Sequence, residues 1–320
     1  MILVLIEHDR GEAAPGSWEA LTAARGLAEQ LDVGVSALII GEDGAGLSDK
    51  AHEFGASEVH LAVHELLSDY GPEAWGDTVA QAAVVTGASY VLACGTSRGN
   101  EVAAQAAARM EQPMVANCTE FRAGDGPLEV TRIRWGGSLL EEATVEGFLP
   151  VLTVAHHAVE PVPSPVEGSV SRFEPELDES LARTTIVDRV VLSEGITLAT
   201  APVVVGGGRG VGSAEGFAVL EELAELLGGV VGCSRVVTNN GWRPHSDQVG
   251  QTGTKIAPQL YIACGISGAI QHWVGAMASK HILAINTDPE ANMVTKADYA
   301  VIGDLHEVLT AVTKELTPSK

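Results

Sequence analysis

The sequence predicts an α/β protein with two domains, each built on a mostly parallel sheet flanked by helices. Short β-branched runs alternate with longer stretches rich in alanine and leucine, the pattern of strands joined by helices. A segment rich in proline and acidic residues interrupts this alternation, which then resumes. We therefore predict an N-terminal domain over residues 1–190, with the connection at about 158–190, and a second domain over residues 191–320.

The N-terminal domain begins with the apolar run from Met1 to Ile6. No basic segment precedes this run and no small-residue cleavage site follows it, so we interpret it as a buried strand and not as a targeting segment. The predicted elements are strands from Ile2 to Ile6, Gly34 to Ile40, Val59 to Val63, Tyr90 to Ala93 and Val151 to Val154, and helices from Trp18 to Leu31 and Thr78 to Thr86. In the first helix Leu21, Ala24, Leu27, Ala28 and Leu31 recur at spacings of three and four, which predicts one apolar face packed on the sheet.

The connection contains Pro161, Pro163, Pro165 and Pro175 among acidic residues, a composition that disfavours both a helix and a central strand. Regular elements then resume. The predicted elements are strands from Pro202 to Val205, Val230 to Cys233, Leu260 to Ala263 and Ile282 to Ile285, and a helix from about Ser213 to Leu227 that ends at two glycines. The second domain is therefore also predicted to be α/β.

Composition excludes several classes of protein. The 320 residues include 42 acidic and 19 basic ones, a net charge of -23, which disfavours nucleic acid and anionic membrane surfaces as partners. No apolar run is long enough to span a membrane, so we expect no direct membrane insertion and a cytoplasmic location. The four cysteines stand singly, without metal-site spacing, and Cys94 and Cys264 end apolar runs as small core residues do.

A glycine-rich turn follows the first strand of the second domain, from Gly206 to Gly212. Glycines allow a backbone to approach a ligand closely, and Arg209 would suit a phosphate or an electron-rich ring. The spacing does not match the G-x-G-x-x-G dinucleotide pattern, because Val211 or Ser213 stands at its last position. A tight turn without a ligand stays an alternative.

Two further segments carry polar groups. The segment from Gln248 to Gly253 is either a solvated turn or a set of amides and a hydroxyl that reads heteroatoms on a planar ring. In the segment from Gly265 to His272, Ser267 and Gly268 are predicted at a helix N-cap, with His272 in the first turn. That histidine either faces solvent or stabilises an anionic ring as a protonated or hydrogen-bonding group.

Asn286 and Asp304 follow two further strands, so they are expected at the same sheet edge as the segments above, where α/β sheets place ligands. No catalytic nucleophile with a base and an orienting group is apparent, and no catalytic residue is predicted. No metal site is predicted either, because His156 and His157 are adjacent and would point to opposite faces of a strand. The pattern predicts a protein that holds a ligand.

The second domain resembles the FAD domain of electron-transfer flavoprotein alpha subunits. The resemblance rests on VVVGGGRGVGSAE, VGCSR, DQVGQTG, PQLYIACGISGAIQHWVGAMASK, AINTDPEA and ADYAVIGDL, in the same order and spacing over roughly residues 200–310. The N-terminal half is similar more loosely, through ILVLIEHD and TRIRWGGS. This resemblance implies a Rossmann-like FAD-binding domain in an electron carrier that performs no substrate chemistry itself.

The resemblance also implies which residues contact FAD. They are Arg209, Ser234, Arg235, Val249, Gly250, Gln251, Thr252, Ser267, Gly268, Ala269, Ile270, Gln271, His272, Asn286, Asp304 and Leu305. It places the cation of Arg235 beside the isoalloxazine, the Thr252 hydroxyl at its reactive central nitrogen, and His272 near the pyrimidine carbonyl. All three groups would favour a reduced, anionic flavin.

The implied partners are a beta subunit, which completes a heterodimer, flavin dehydrogenases such as acyl-CoA dehydrogenases as electron donors, and a membrane quinone oxidoreductase or another acceptor. One alternative is a subunit of an NADH-dependent electron-bifurcating complex, in which the beta subunit carries a second FAD. Another is a nucleotide-binding regulatory module, which the N-terminal half alone would allow.

Overall fold

The computed structural model describes residues 1–124, 126–187 and 196–317. Within these residues the chain divides into two compact units. The first contains residues 1–135 and 139–187, and the second contains residues 136–138 and 196–317. The predicted boundary between residues 190 and 191 lies outside the described residues.

The first unit alternates strands with helices over most of its length. Its elements are β1 (Ile2–Ile6), β2 (His8–Asp9), β3 (Glu12–Ala13), α1 (Gly16–Leu31), β4 (Val35–Ile40), α2 (Ser48–Glu53), β5 (Glu58–Ala62), α3 (Pro72–Val85), β6 (Tyr90–Cys94), α4 (Ser97–Met110), β7 (Met114–Arg122), β8 (Leu128–Arg134), β9 (Leu139–Val145), β10 (Val151–Val154) and β11 (Ser169–Phe173). The strands and helices that the sequence predicted here are confirmed with ends shifted by one or two residues, except that α3 begins six residues before the predicted start at Thr78.

Nine of these strands form one sheet within the described residues, in the order β11-β5-β4-β1-β6-β10-β7-β8-β9. All neighbours from β11 to β7 pair in parallel, and β7, β8 and β9 pair antiparallel. The small β2–β3 ribbon stands apart from this sheet. The sheet is therefore mixed but mostly parallel.

The core of the first unit lies on both faces of this sheet. Along β1, Ile2 and Val4 pack in a cluster with α1, whereas Leu3 and Leu5 pack in a cluster with α3 and α4. Every residue of β1 is buried because helices cover both faces, as parallel sheets require. The predicted apolar face of α1 is confirmed, with Leu31 at its half-buried end.

Two parts of the first unit differ from the sequence prediction. The antiparallel strands β7 to β9 were not predicted, because their residues are mostly half-exposed and do not form β-branched apolar runs. The proline-rich connection contains β11, which pairs in parallel with β5 at the edge of the sheet. An edge position tolerates a neighbourhood of prolines that a central strand would not.

The second unit is a smaller α/β layer structure. Its elements are β12 (Val203–Gly207), α5 (Ala218–Leu226), β13 (Val230–Cys233), α6 (Arg235–Asn239), β14 (Leu260–Cys264), α7 (Ile270–Ala276), β15 (Ile282–Asn286), α8 (Asn292–Lys296), β16 (Tyr299–Ile302) and α9 (Leu305–Leu316). Its five described strands all pair in parallel in the order β13-β12-β14-β15-β16. This is a doubly wound order, whose switch point lies between β12 and β14.

The helix predicted from Ser213 is shorter than expected. A 3-10 turn over Glu215–Phe217 precedes α5, which begins only at Ala218. The two glycines after α5 end it as predicted, with Gly228 in the left-handed region at a φ of 63°. Cys94 and Cys264 are buried core residues, as predicted.

The fold class is confirmed, since both units are α/β with mostly parallel sheets between helices. Among the described residues, none of the helices combines the length and the apolar composition needed to cross a membrane.

Candidate functional site

A cleft of about 610 Å³ opens at the carboxyl edge of the second sheet. Its walls are the loops that follow β12, β13, β14 and β15, so it lies at the switch point, where doubly wound sheets bind ligands. A volume of this size suits a cofactor-sized ligand.

Most of the residues predicted to bind a ligand line this cleft. They are Arg209, Ser234, Arg235, Thr252, Ser267, Gly268, Ala269, Gln271, His272 and Asn286. The convergence follows from topology, because the carboxyl ends of parallel strands meet at one sheet edge.

Six predicted residues lie outside the lining: Val249, Gly250, Gln251, Ile270, Asp304 and Leu305. Val249 and Leu305 are buried in the core. The Gln251 N–H donates to the Gln271 carbonyl at 2.7 Å, which ties the loop of Gly250 and Gln251 to α7. Asp304 caps α9 by accepting the N–H groups of the first helical turn. Ile270 is half-exposed at the start of α7.

Other lining residues were not predicted. They are Gly210, Val236, Gly265, Ile266, Asp288 and Ala291. All except Val236 lie in segments that contain predicted residues. Their positions in the sequence, close to those residues, could therefore have identified them.

Two glycine loops form the floor of the cleft by direct backbone contact. The Gly208 N–H donates to the Cys264 carbonyl at 2.9 Å, and the Gly210 N–H donates to the Gly265 carbonyl at 3.1 Å. Gly265 has a φ of 62°, and a Cβ there would lie 2.8 Å from the Gly210 Cα. Glycine is therefore required at residue 265 for both conformation and space.

Gly206 has a different role, since it leaves room for the Tyr261 hydroxyl on the neighbouring strand.

Two exposed arginines give the cleft its positive charge. Arg209 and Arg235 form no ion pair with any acidic group of the described residues, whereas many other arginines of the chain do. In a chain with 42 acidic residues, two cations without acidic partners on one cleft indicate an anionic ligand. Asp288 is the acidic residue among those that line the cleft.

The Thr252 hydroxyl is positioned by two donors. It accepts a hydrogen bond from the buried amide of Gln248 at 2.9 Å and a longer one from the Arg235 guanidinium at 3.4 Å. Its own hydrogen has no acceptor among the described residues. Thr252 can therefore donate to a ligand while its oxygen stays fixed. The alternative of a solvated turn fits only part of the segment from Gln248 to Gly253. Gln248 is 1% exposed, whereas Gln251 and Thr252 are exposed in a turn.

Two buried polar atoms at the cleft lack good partners. In the described part of the chain, neither Ser234 Oγ nor His272 Nδ1 makes a hydrogen bond of good geometry. Buried polar groups of this kind are costly unless a ligand or water pairs with them. A polar ligand seated in the cleft would relieve that cost.

His272 is a buried neutral ring. Its Nε2 atom lies 2.8 Å from the Tyr261 hydroxyl, and the two rings stack at 6.1 Å. Burial lowers the pKa of His272 to about 4, although the nearby Val249 backbone favours the protonated form slightly. At neutral pH the ring of the protein alone is therefore uncharged. The alternative of a solvent-facing histidine is wrong, because His272 is 7% exposed.

Two further predictions of detail are corrected. Ser267 and Gly268 do not cap α7, because the cap position is Ala269, and Gly268 turns away in the left-handed region at a φ of 75°. His156 and His157 do not point to opposite faces, because they follow β10 in a turn. Their rings stack with centroids 3.7 Å apart.

The strand order and the arginine-lined cleft at the switch point define a two-domain α/β protein built to hold an anionic ligand. Two family models match the chain: the electron transfer flavoprotein domain over residues 2–180 and the electron transfer flavoprotein FAD-binding domain over residues 197–277. The chain belongs to the electron transfer flavoprotein alpha-subunit family, so the resemblance read from the sequence is confirmed.

Relatives match over nearly the full length. The chain is 40% identical to the electron transfer flavoprotein subunit alpha of Mycobacterium tuberculosis, covering 100% of this chain and 99% of the relative. It is 35% identical to the subunit of the same name from Thermoanaerobacterium thermosaccharolyticum, covering 100% and 98%. It is 36% identical to Protein FixB of Bradyrhizobium diazoefficiens, covering 98% and 87%.

Proposed function

We propose that this protein is an electron carrier that binds FAD in the cleft of its second unit and pairs with an electron-transfer flavoprotein beta subunit. FAD, when bound, supplies one-electron redox chemistry. The observation that carries the proposal is the chemistry of the cleft. It combines two arginines without acidic partners with the buried, poorly paired Ser234 Oγ and His272 Nδ1.

The donor set fits the two chemical parts of FAD. Arg209, next to the glycine loop, offers a cation to an anionic diphosphate. Arg235 and the free hydrogen of Thr252 offer a charge and a donor to a flavin ring. Neutral His272, held by Tyr261, offers a polar edge that carries no charge. The remaining predicted contacts, Val249 to Gln251, Ile270, Asp304 and Leu305, would act by shaping these loops.

We propose that electrons reach this site from flavin dehydrogenases such as acyl-CoA dehydrogenases and leave to a membrane quinone oxidoreductase or another acceptor. The net charge of -23 supports docking on basic partner surfaces. The described residues supply a binding site and tuning groups, and the role is that of a carrier in the cytoplasm.

The test is to purify the chain with its beta subunit and record absorbance spectra during stepwise reduction. One FAD per heterodimer is the expected result, and two would place a second FAD in the beta subunit. The charge reversal Arg209→Glu should weaken FAD binding by about tenfold or more, since one charge-assisted hydrogen bond contributes ~1.5–3 kcal/mol.

The matched control is Arg10→Glu, an exposed arginine of the first unit, which should keep full FAD occupancy. A colourless complex that takes up no FAD on reconstitution would overturn the proposal. Equal FAD affinity in Arg209→Glu and Arg10→Glu would overturn the role given to Arg209.

A further inference from the structure

A second set of polar side chains gathers in the first unit, and the proposed function does not use it. Glu19 lies in the first turn of α1, and His156 and His157 follow the carboxyl end of β10. One possible ligand atom from each of the three residues lies within 4.8 Å of the others. Like the cleft of the second unit, this cluster includes residues beyond the carboxyl end of a parallel strand.

The backbone brings the two histidine rings to one side. His157 has a φ of 63°, in the left-handed region that residues other than glycine seldom adopt. Because of this turn, the rings of His156 and His157 stack at 3.7 Å with an interplanar angle of 29°. Backbone conformations of this kind persist where the surroundings hold them, often at ligand sites.

Glu19 is a buried carboxylate without a fixed positive partner. It is 4% exposed, and within the described residues it makes no ion pair with a lysine or an arginine. Its Oε2 accepts a hydrogen bond from the backbone N–H of His157 at 2.7 Å, and its Oε1 lies 3.5 Å from the ring atom His157 Nδ1. A buried negative charge is stable only when a positive charge or a set of donors compensates it.

The two ring nitrogens of His157 have different surroundings. Its Nε2 atom is buried without a hydrogen-bond partner among the described residues, and its Nδ1 atom is the nitrogen that lies near Glu19. The Cys94 thiol lies near the cluster, because a Cβ on Gly16 would overlap the Cys94 sulfur and lie 3.2 Å from a carbon of the His156 ring. The cluster is therefore enclosed by protein on the side of α1.

We propose that Glu19, His156 and His157 bind a divalent transition-metal ion of the Zn²⁺ type. Two ligands at about 2.1 Å from a tetrahedral ion lie roughly 3.4 Å apart. The 3.5 Å between Glu19 Oε1 and His157 Nδ1 matches this spacing. Two imidazoles and one carboxylate are a donor set that Zn²⁺ and its neighbours prefer, with one position left for water. The ion would supply the positive charge that Glu19 lacks.

The test uses the full chain in complex with its beta subunit, stripped of metal with a chelator and titrated with Zn²⁺ by calorimetry. Wild-type complex should bind one Zn²⁺ that Glu19→Gln and His157→Ala each weaken at least tenfold. The matched control His281→Ala removes an exposed histidine of the second unit and should change the affinity less than twofold. FAD content should stay the same in all variants, which separates this result from the proposed function.

Zn²⁺ should also raise the unfolding temperature of the wild-type complex and not that of Glu19→Gln, since a ligand stabilises the state that binds it. Should His157→Ala fail to fold, His156→Ala and the isosteric Glu19→Gln carry the comparison. Absence of Zn²⁺ binding at 100 μM, or a loss below tenfold in Glu19→Gln and in the histidine variant, overturns the proposal.

Discussion

Replacing Tyr261 with phenylalanine tests the hydrogen bond that holds His272. The Tyr261 side chain is fully buried, and its hydroxyl lies 2.8 Å from His272 Nε2. Phenylalanine keeps the ring and nearly all of its apolar burial, so the loss is confined to the hydroxyl and its partner. A buried hydrogen-bonding group left without its partner costs about 1–3 kcal/mol. We therefore expect Tyr261→Phe to lower the free energy of unfolding by about 1–3 kcal/mol.

The measurement is differential scanning calorimetry of the wild-type complex and two variants under identical conditions. Tyr299→Phe is the matched control, because Tyr299 is 64% exposed and its hydroxyl makes no hydrogen bond with the described residues. Its effect should stay within about 0.5 kcal/mol, as for most surface substitutions. Each kcal/mol corresponds to roughly 2–8 °C in domains of this size range. Equal unfolding temperatures for Tyr261→Phe and Tyr299→Phe would refute the reasoning.

Three other predictions concern the cleft. Burial lowers the pKa of His272 from 6.5 to about 4, so between these values the unfolded chain binds more protons than the folded one, and the free energy of unfolding decreases as the pH is lowered. His272 should cost about 3 kcal/mol of stability between pH 7 and pH 4, and urea unfolding of His272→Gln should show a correspondingly weaker pH dependence. Arg235→Ala should lower the one-electron flavin potential by roughly 40 mV for ~1 kcal/mol of lost charge interaction, and an unchanged potential in a redox titration would count against that role. Gly265→Ala should destabilise by ~1–3 kcal/mol more than Gly212→Ala, because both glycines have a positive φ but only Gly265 faces the Gly210 backbone. Thermal unfolding measures this difference, and equal unfolding temperatures for the two variants would contradict the prediction.

The fold was predictable where both faces of a strand are buried. β1 is a continuous apolar run and β10 is interrupted only by Thr153. Both strands are fully buried, because helices cover the parallel sheet on both sides. β8 and β9 escaped prediction because one face of an antiparallel hairpin is open to water, so charged residues such as Arg132 and Glu141 pair across the strands. Tertiary context decides such strands, and local composition does not.

The cleft was predictable at the level of segments and not of individual contacts. Strand ends converge by topology, which brought Arg209, Ser267 and Asn286 together as expected. The sequence could not show that the Asp304 carboxylate caps α9. Nor could it show that Tyr261 reaches His272, since that bond joins a strand to a helix through the space left by a glycine on the neighbouring strand.

The cleft combines two kinds of tuning group that respond differently to their surroundings. Arg235 is exposed, so salt screens its charge and its effect on a bound anion depends on ionic strength. His272 and Tyr261 are buried and uncharged at neutral pH, so their effect acts through hydrogen bonding and is insensitive to salt. A cofactor potential set by both groups would have a constant part fixed by the buried pair and a variable part set by the arginine. Under the proposed function, a basic partner that docked near Arg235 would change only the variable part of the FAD potential.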